Sequence, residues 1–152
     1  MLPENEVFVF SDIDIVFYKP IIPTILNLIE NNDVLFLREF YDGIFELQGG
    51  NINFGFNIIR SNQKTLNFFQ DVIFEVCKSG TWEQKVINEF LYKNKNYNLK
   101  WDLLPATFLS TSVGFKHINK DILLYHANCA LTTNSKFELM NQVNKIVLEL
   151  CA

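Results

Sequence analysis

Val7-Phe8-Val9-Phe10-Ser11-Asp12-Ile13-Asp14-Ile15-Val16-Phe17 is the stretch on which the fold turns. Its first four residues are a short apolar run of β-forming types, which reads as a buried strand ended by Ser11-Asp12. Ile15–Phe17 is apolar again, so two carboxylates interrupt a segment that otherwise asks to be buried. Burying them without a use would cost desolvation energy. Two carboxylates one residue apart at a strand end can share one hard cation, with the intervening Ile13 turned into the core. All-oxygen ligation suits Mg2+ or Mn2+, and ligands of open α/β sheets bind at strand ends. Read alone, the same pair also fits an ordinary surface turn.

Outward from this stretch the chain alternates strand-like and helix-like segments. Pro20 and Pro23 introduce a short helix at 24–29, ended by Asn31-Asn32. Residues 34–37 and 44–47 read as strands, Gly49-Gly50 breaks the pattern, and Ile52–Arg60 resumes as a strand interrupted at Gly55. From 61 to 77, Leu66, Phe69, Ile73 and Val76 fall on one helical face, and Gly80 stops that helix. Thr81 with Gln84 resembles a capping box for the next helix, and Ser135 with Glu138 resembles one for the last. Residues 93–100 are polar and read as a loop, and 121–125 read as a strand. There is no repeat and no linker, so 1–152 is expected to be a single α/β domain.

Composition narrows the function. A chain of 152 residues can bury a core without disulfide or metal staples. Hydrophobic residues at 49% exclude a disordered protein. With 13 basic against 17 acidic residues and a net charge of -4, a nucleic-acid partner is not expected. No apolar run reaches the roughly 18–20 residues of a membrane span. Glu4 and Glu6 interrupt any signal-peptide pattern. Cys77, Cys129 and Cys151 are odd in number without metal-type spacing, so a reduced, cytoplasmic setting is expected.

A second constellation lies far along the chain. His126-Ala127-Asn128 follows an apolar run, and Lys136 lies near the start of the last helix. Separately, His126 fits a structural histidine and Lys136 a solvated lysine. Together they suit an anion, because a helix N-terminus offers N–H groups and a positive dipole end.

The ordered set Phe10-Ser11-Asp12-Ile13-Asp14, Asn53-Phe54-Gly55-Phe56 with Arg60-Ser61-Asn62, Trp82-Glu83-Gln84 with Asn88, Leu104-Pro105, and His126-Ala127-Asn128 with Lys136 resembles the nucleotide-diphospho-sugar transferase family. These are glycosyltransferases of the GT-A fold, and the resemblance runs from about Val7 to the last helix. It implies a GT-A-like, Rossmann-like mixed sheet flanked by helices. It also implies a metal-dependent transfer of a sugar from a UDP- or GDP-sugar donor to a hydroxyl of a glycan or protein acceptor. By the match, Asp14 would ligate a divalent ion, usually Mn2+, and Asp12 would contact the metal or the ribose. His126 would be the third protein ligand, and Lys136 would hold the diphosphate. Asn53, Gly55 and Asn128 would belong to the donor and acceptor pocket, and Glu83 and Gln84 would stand near the transferred sugar. An inverting enzyme would also need a base for the acceptor hydroxyl, and Glu83 is the candidate. Such chemistry needs a Lewis acid and fixed positive charge for the leaving diphosphate.

Two departures stand out. Thr132 occupies the place where the family often has Gly. The strand–helix units that precede the Asp-x-Asp strand in the GT-A fold, and that build the nucleotide pocket, are lacking, so a partner chain could supply them. Two other readings compete. Asp12–Val16 also resembles the loop of haloacid-dehalogenase-type phosphatases, with Asp12 as nucleophile and Asp14 as general acid/base. That fold needs a later strand ending in a carboxylate pair, and none is seen. Alternatively, the chain is a degenerate transferase serving as a binding or scaffold module.

Overall fold

A computed structural model describes residues 3–39, 52–92, 97–110, 118–128 and 132–152. In chain order its elements are β1 (Val7–Ser11), β2 (Ile15–Phe17), α1 (Ile22–Ile29), β3 (Val34–Arg38), β4 (Ile52–Arg60), α2 (Gln63–Ser79), α3 (Glu83–Tyr92), β5 (Trp101–Leu103), β6 (Phe108–Ser110), β7 (Leu124–His126) and α4 (Thr133–Cys151). The result is an α/β molecule, as the alternation of segments predicts, and its two sheets are mixed, as the resemblance implies.

β3 explains the layering. Val34 and Phe36 join one apolar cluster and Leu35 and Leu37 another, because successive side chains of a strand point to opposite faces. α2 and α3 cover the first face with Phe68, Val72, Val86, Ile87 and Phe90. α1 covers the second with Ile25 and Ile29. A strand buried on both faces reads as a continuous apolar run, which is how Val34-Leu35-Phe36-Leu37 reads.

The main sheet has the order β1-β4-β3-β5, with β4 antiparallel to both neighbours and β5 parallel to β3. A smaller sheet has the order β2-β7-β6, with β2 antiparallel and β6 parallel to β7. A parallel bridge between Glu39 and Ser110 ties the two together. Below the small sheet, α4 packs Val143 and Val147 against Leu109, Tyr125 and Ala127.

One irregularity shapes the site. Phe36 pairs with Asn57, but the next residue, Leu37, pairs with Asn53. Residues 54–56 therefore bulge out of the β3–β4 ladder. The Asn57 amide closes the bulge by donating to the Phe54 carbonyl at 2.7 Å. A bulge re-aims the chain locally, and here it brings Gly55 O within 2.7 Å of the Asp12 N–H.

Several expectations are corrected. β1 is an edge strand, not a buried one, and Val9 and Phe10 are exposed. Ile13 is not turned into the core but stands fully in solvent. β4 continues through Gly55 as a nine-residue strand, and only its ladder with β3 is interrupted there, by the bulge at 54–56. The buried face of α2 is Thr65, Phe68 and Val72, about one position off the expected stripe, with Ile73 exposed. α2 is capped by Asn62 and Thr65 and ends on Gly80 in the left-handed conformation. The box at the start of α4 is Thr132 with Ser135, not Ser135 with Glu138. The last strand is Leu124–His126, because Asp121 and Ile122 belong to a turn. The short strands β2, β5 and β6 were not anticipated. The expected strand at 44–47 and Gly49-Gly50 lie outside the described residues, as do Cys129 and the beginning of the 93–100 loop.

Candidate active site

The loop between β1 and β2 carries the two carboxylates, and the two flanking strands belong to different sheets. β2 pairs with β7 so that Ile15 lies opposite His126. This register, set 111 residues apart in sequence, delivers the imidazole to the Asp-x-Asp loop. His126 Nε2 lies 3.3 Å from Asp14 Oδ1 and 3.6 Å from Asp12 Oδ2. One ligand atom from each of the three residues lies within 4.8 Å of the other two. Neighbouring ligands of an octahedral ion with bonds of about 2.1 Å stand about 3 Å apart, so the set is the right size for one hard divalent ion. Two carboxylates and one imidazole also suit Mn2+ by ligand type.

The two aspartates differ. Asp14 is buried, whereas the Asp12 side chain is about half exposed, at 46%. Burial pushes Asp14 upward, but the neighbouring His126 and Lys136 outweigh it and hold its carboxyl well below the usual range. Asp12 is raised by burial, with His126 lowering it in part and Asp14 adding to the rise. An Asp14 that stays ionised can ligate a cation, whereas the phosphatase reading needs it to carry a proton.

Lys136 pairs directly with Asp14 Oδ2 from the first turn of α4. Between that turn and the Asp-x-Asp loop lies an open cleft of about 630 Å³, lined by Asp12, Asp14, Thr132, Thr133, Lys136 and Phe137 among others. Thr132, the family's frequent Gly position, is the N-cap of α4 and accepts from the Ser135 N–H at 3.1 Å.

Three of the remaining predicted residues, Asn53, Gln84 and Asn128, converge on a group that sequence reasoning missed. Glu39, the residue after β3, is buried at 5% exposure. Asn53 Nδ2 donates to its Oε2 at 2.6 Å, and Gln84 Nε2 approaches the same oxygen at 3.4 Å. Asn128 Nδ2 donates to its Oε1. Burial raises the Glu39 carboxyl, and the hydrogen bonds from Asn53 and Asn128 lower it only in part. Asn53 also faces His126, with its Oδ1 at 3.1 Å from Nδ1. Gln84 is not capping Thr81, because its Oε1 accepts from the Phe54 N–H at 3.2 Å. Glu83 opens α3, exposed, and near enough to Asp12 to contribute to its raised carboxyl. Asn88 bonds both backbone groups of Ile52 and so holds the start of β4.

Gly55 has a steric reason. A Cβ there would lie 2.1 Å from His126 Cε1 and 2.6 Å from Nδ1. The imidazole occupies the space a side chain would take.

The family model described as nucleotide-diphospho-sugar transferase matches residues 2–140. No curated protein matches the chain. A solved structure similar to this one is the crystal structure of a glycosyltransferase involved in the glycosylation of the major capsid of PBCV-1, with a TM-score of 0.61 and 18% sequence identity. The similarity covers 90% of this chain and 66% of that one, and at this identity it speaks for a shared GT-A-type fold. With a family match over nearly its whole length and the fold to go with it, the chain belongs to the nucleotide-diphospho-sugar transferase family of glycosyltransferases.

Proposed function

We propose that this chain works as one domain that transfers a sugar from a nucleotide-diphosphate sugar to an acceptor hydroxyl, using a divalent ion held by Asp12, Asp14 and His126. The convergence of those three side chains within 4.8 Å, beside a cleft that also holds Lys136, carries the reading. Mn2+ is the expected ion and Mg2+ the alternative. When bound, the ion supplies Lewis-acid stabilisation of the leaving diphosphate. The protein's own part is electrostatic and positional. Lys136 brings a full positive charge to the cleft at the first turn of α4, where the helix dipole has the same sign. Asn53, Gly55 and Asn128 form the wall of the donor site nearest the ligands. Glu83 and Gln84 stand on the acceptor side, with the exposed Glu83 as the candidate base. Exposed, unpaired Cys77 and Cys151 are in keeping with a reducing compartment such as the cytoplasm. Among the described residues no helix is long and apolar enough to cross a membrane.

Titration of the folded protein with UDP or GDP, with and without Mn2+, tests the proposal. The nucleotide is expected to bind only with the ion, and Asp14→Asn is expected to abolish that dependence. A folded wild-type chain that takes up neither nucleotide in the presence of Mn2+ would overturn it and leave a binding or scaffold module.

A further inference from the structure

Glu39 is a buried carboxylate in a molecule whose proposed chemistry does not call on it. It lies behind the ion ligands, and its contacts point through Asn53 to His126. The orientation of the Asn53 amide is fixed from two sides. The Gly55 N–H donates to Oδ1 at 2.8 Å, and Nδ2 donates to the Glu39 carboxylate at 2.6 Å. Flipping the amide would set its NH2 against an N–H and its oxygen against a carboxylate. Oδ1 is therefore the atom that meets His126 Nδ1, at 3.1 Å, and an amide oxygen only accepts. The ring must donate from Nδ1. Ser110 Oγ, 3.4 Å from the same nitrogen, is a hydroxyl and can accept as well. Nε2 is then the nitrogen that faces Asp12 and Asp14.

We propose that Glu39 is a positioning residue that acts through Asn53 to hold His126 in the Nδ1–H tautomer, leaving Nε2 free to ligate the ion. Outer-shell partners of ligating histidines commonly fix the tautomer in this way, and losing them costs about 10- to 100-fold in metal affinity. The unusual feature here is the interposed amide. The carboxylate does not touch the ring but locks the side chain that does. Gln84 and Asn128, which also donate to Glu39, brace it from α3 and from the residues after β7. The inference rests on the ion site of the proposed function, and its test separates the two.

The wild-type protein, metal-free and at a pH where the ring carries one proton, is examined by nitrogen NMR of its imidazoles. His117→Gln leaves His126 as the chain's sole histidine and assigns the signal. The neutral ring is expected to be Nδ1–H. Mn2+ uptake, read from the free-ion EPR signal, is expected to weaken about 10- to 100-fold in Asn53→Leu and Glu39→Leu. Glu39→Gln, whose amide oxygen can still accept from Asn53, is expected to recover most of the affinity. An Nε2–H ring in the wild type overturns the inference, as does a folded Glu39→Leu that binds Mn2+ like the wild type. Because the tautomer is read on the unmutated site, misfolding of a variant does not blunt the test. A wild type that shows the Nδ1–H ring but takes up no Mn2+ overturns the proposed function and leaves the tautomer control standing.

Discussion

At the scale of the residue, the site is a problem of space as much as of charge. Asp12, Asp14, His126 and Lys136 could be named from sequence because carboxylates after an apolar strand, a histidine after another apolar run and a lysine near a helix start are chemically conspicuous. Glu39 could not, although the same signal was present: it ends the apolar run of β3 as Asp12 ends that of β1. Its importance lies in three amides from distant segments, and no local pattern shows such convergence. Gly55 was read as a pocket residue, yet its hydrogen makes room for the His126 ring. Gly55→Ala should therefore push the imidazole off its Asn53 contact. The expected cost is about 1–3 kcal/mol of stability and about 10-fold or more in Mn2+ affinity. Chemical denaturation and ion titration on the same preparation would separate these effects, and an unchanged Mn2+ affinity would refute the steric account.

At the scale of the element, Asp33 is the joint between helices and sheet. Its carboxylate accepts from the Lys100 N–H at 2.9 Å and from Asn62 at 2.7 Å, and pairs with Lys64 at 3.3 Å. It thus fastens the start of α2 and the approach to β5 onto the start of β3. Burial raises its carboxyl, but these partners outweigh burial and lower it overall. A carboxylate whose folded pKa lies below the unfolded value of about 3.9 stabilises fully above that value and loses its contribution as pH falls through the folded pKa. Asp33→Asn should cost about 1–3 kcal/mol at neutral pH. The gap between the two urea midpoints should narrow as pH falls below about 4. A gap that is the same at pH 7 and pH 3 would contradict this. Elements of this length were legible where they carry their own signals, such as Gly80 after α2 or Pro23 at the start of α1. The three-residue strands β2, β5 and β6 carry too few residues to show a period. Their structure comes from pairing with partners remote in sequence.

At the scale of the whole molecule, the candidate site lies on the seam between two sheets. Asp12 follows β1 of the larger sheet, and His126 ends β7 of the smaller. An ion held by both would be a fastener as well as a reagent. At a Mn2+ concentration 100 times its Kd, local openings that part the seam should slow about 100-fold. Hydrogen exchange at the β2–β7 amides would report this. Local fraying of β5, at the far edge of the larger sheet, should not respond. Equal slowing at both places would mean that the ion does not bridge the sheets.

The pairing of Lys136 with Asp14 bears on how such a site is loaded. The ammonium already screens the carboxylate an ion would use, so loading is an exchange of one cation for another. The displaced lysine is then available to a diphosphate, and by linkage the ion and the diphosphate must strengthen each other's hold by the same factor. Lys136→Met should therefore bind Mn2+ alone more tightly, yet gain less from added UDP or GDP. On the proposed reading the lysine would serve as a placeholder, neutralising the Asp14 carboxylate until an ion arrives and coupling the ion's binding to that of the diphosphate.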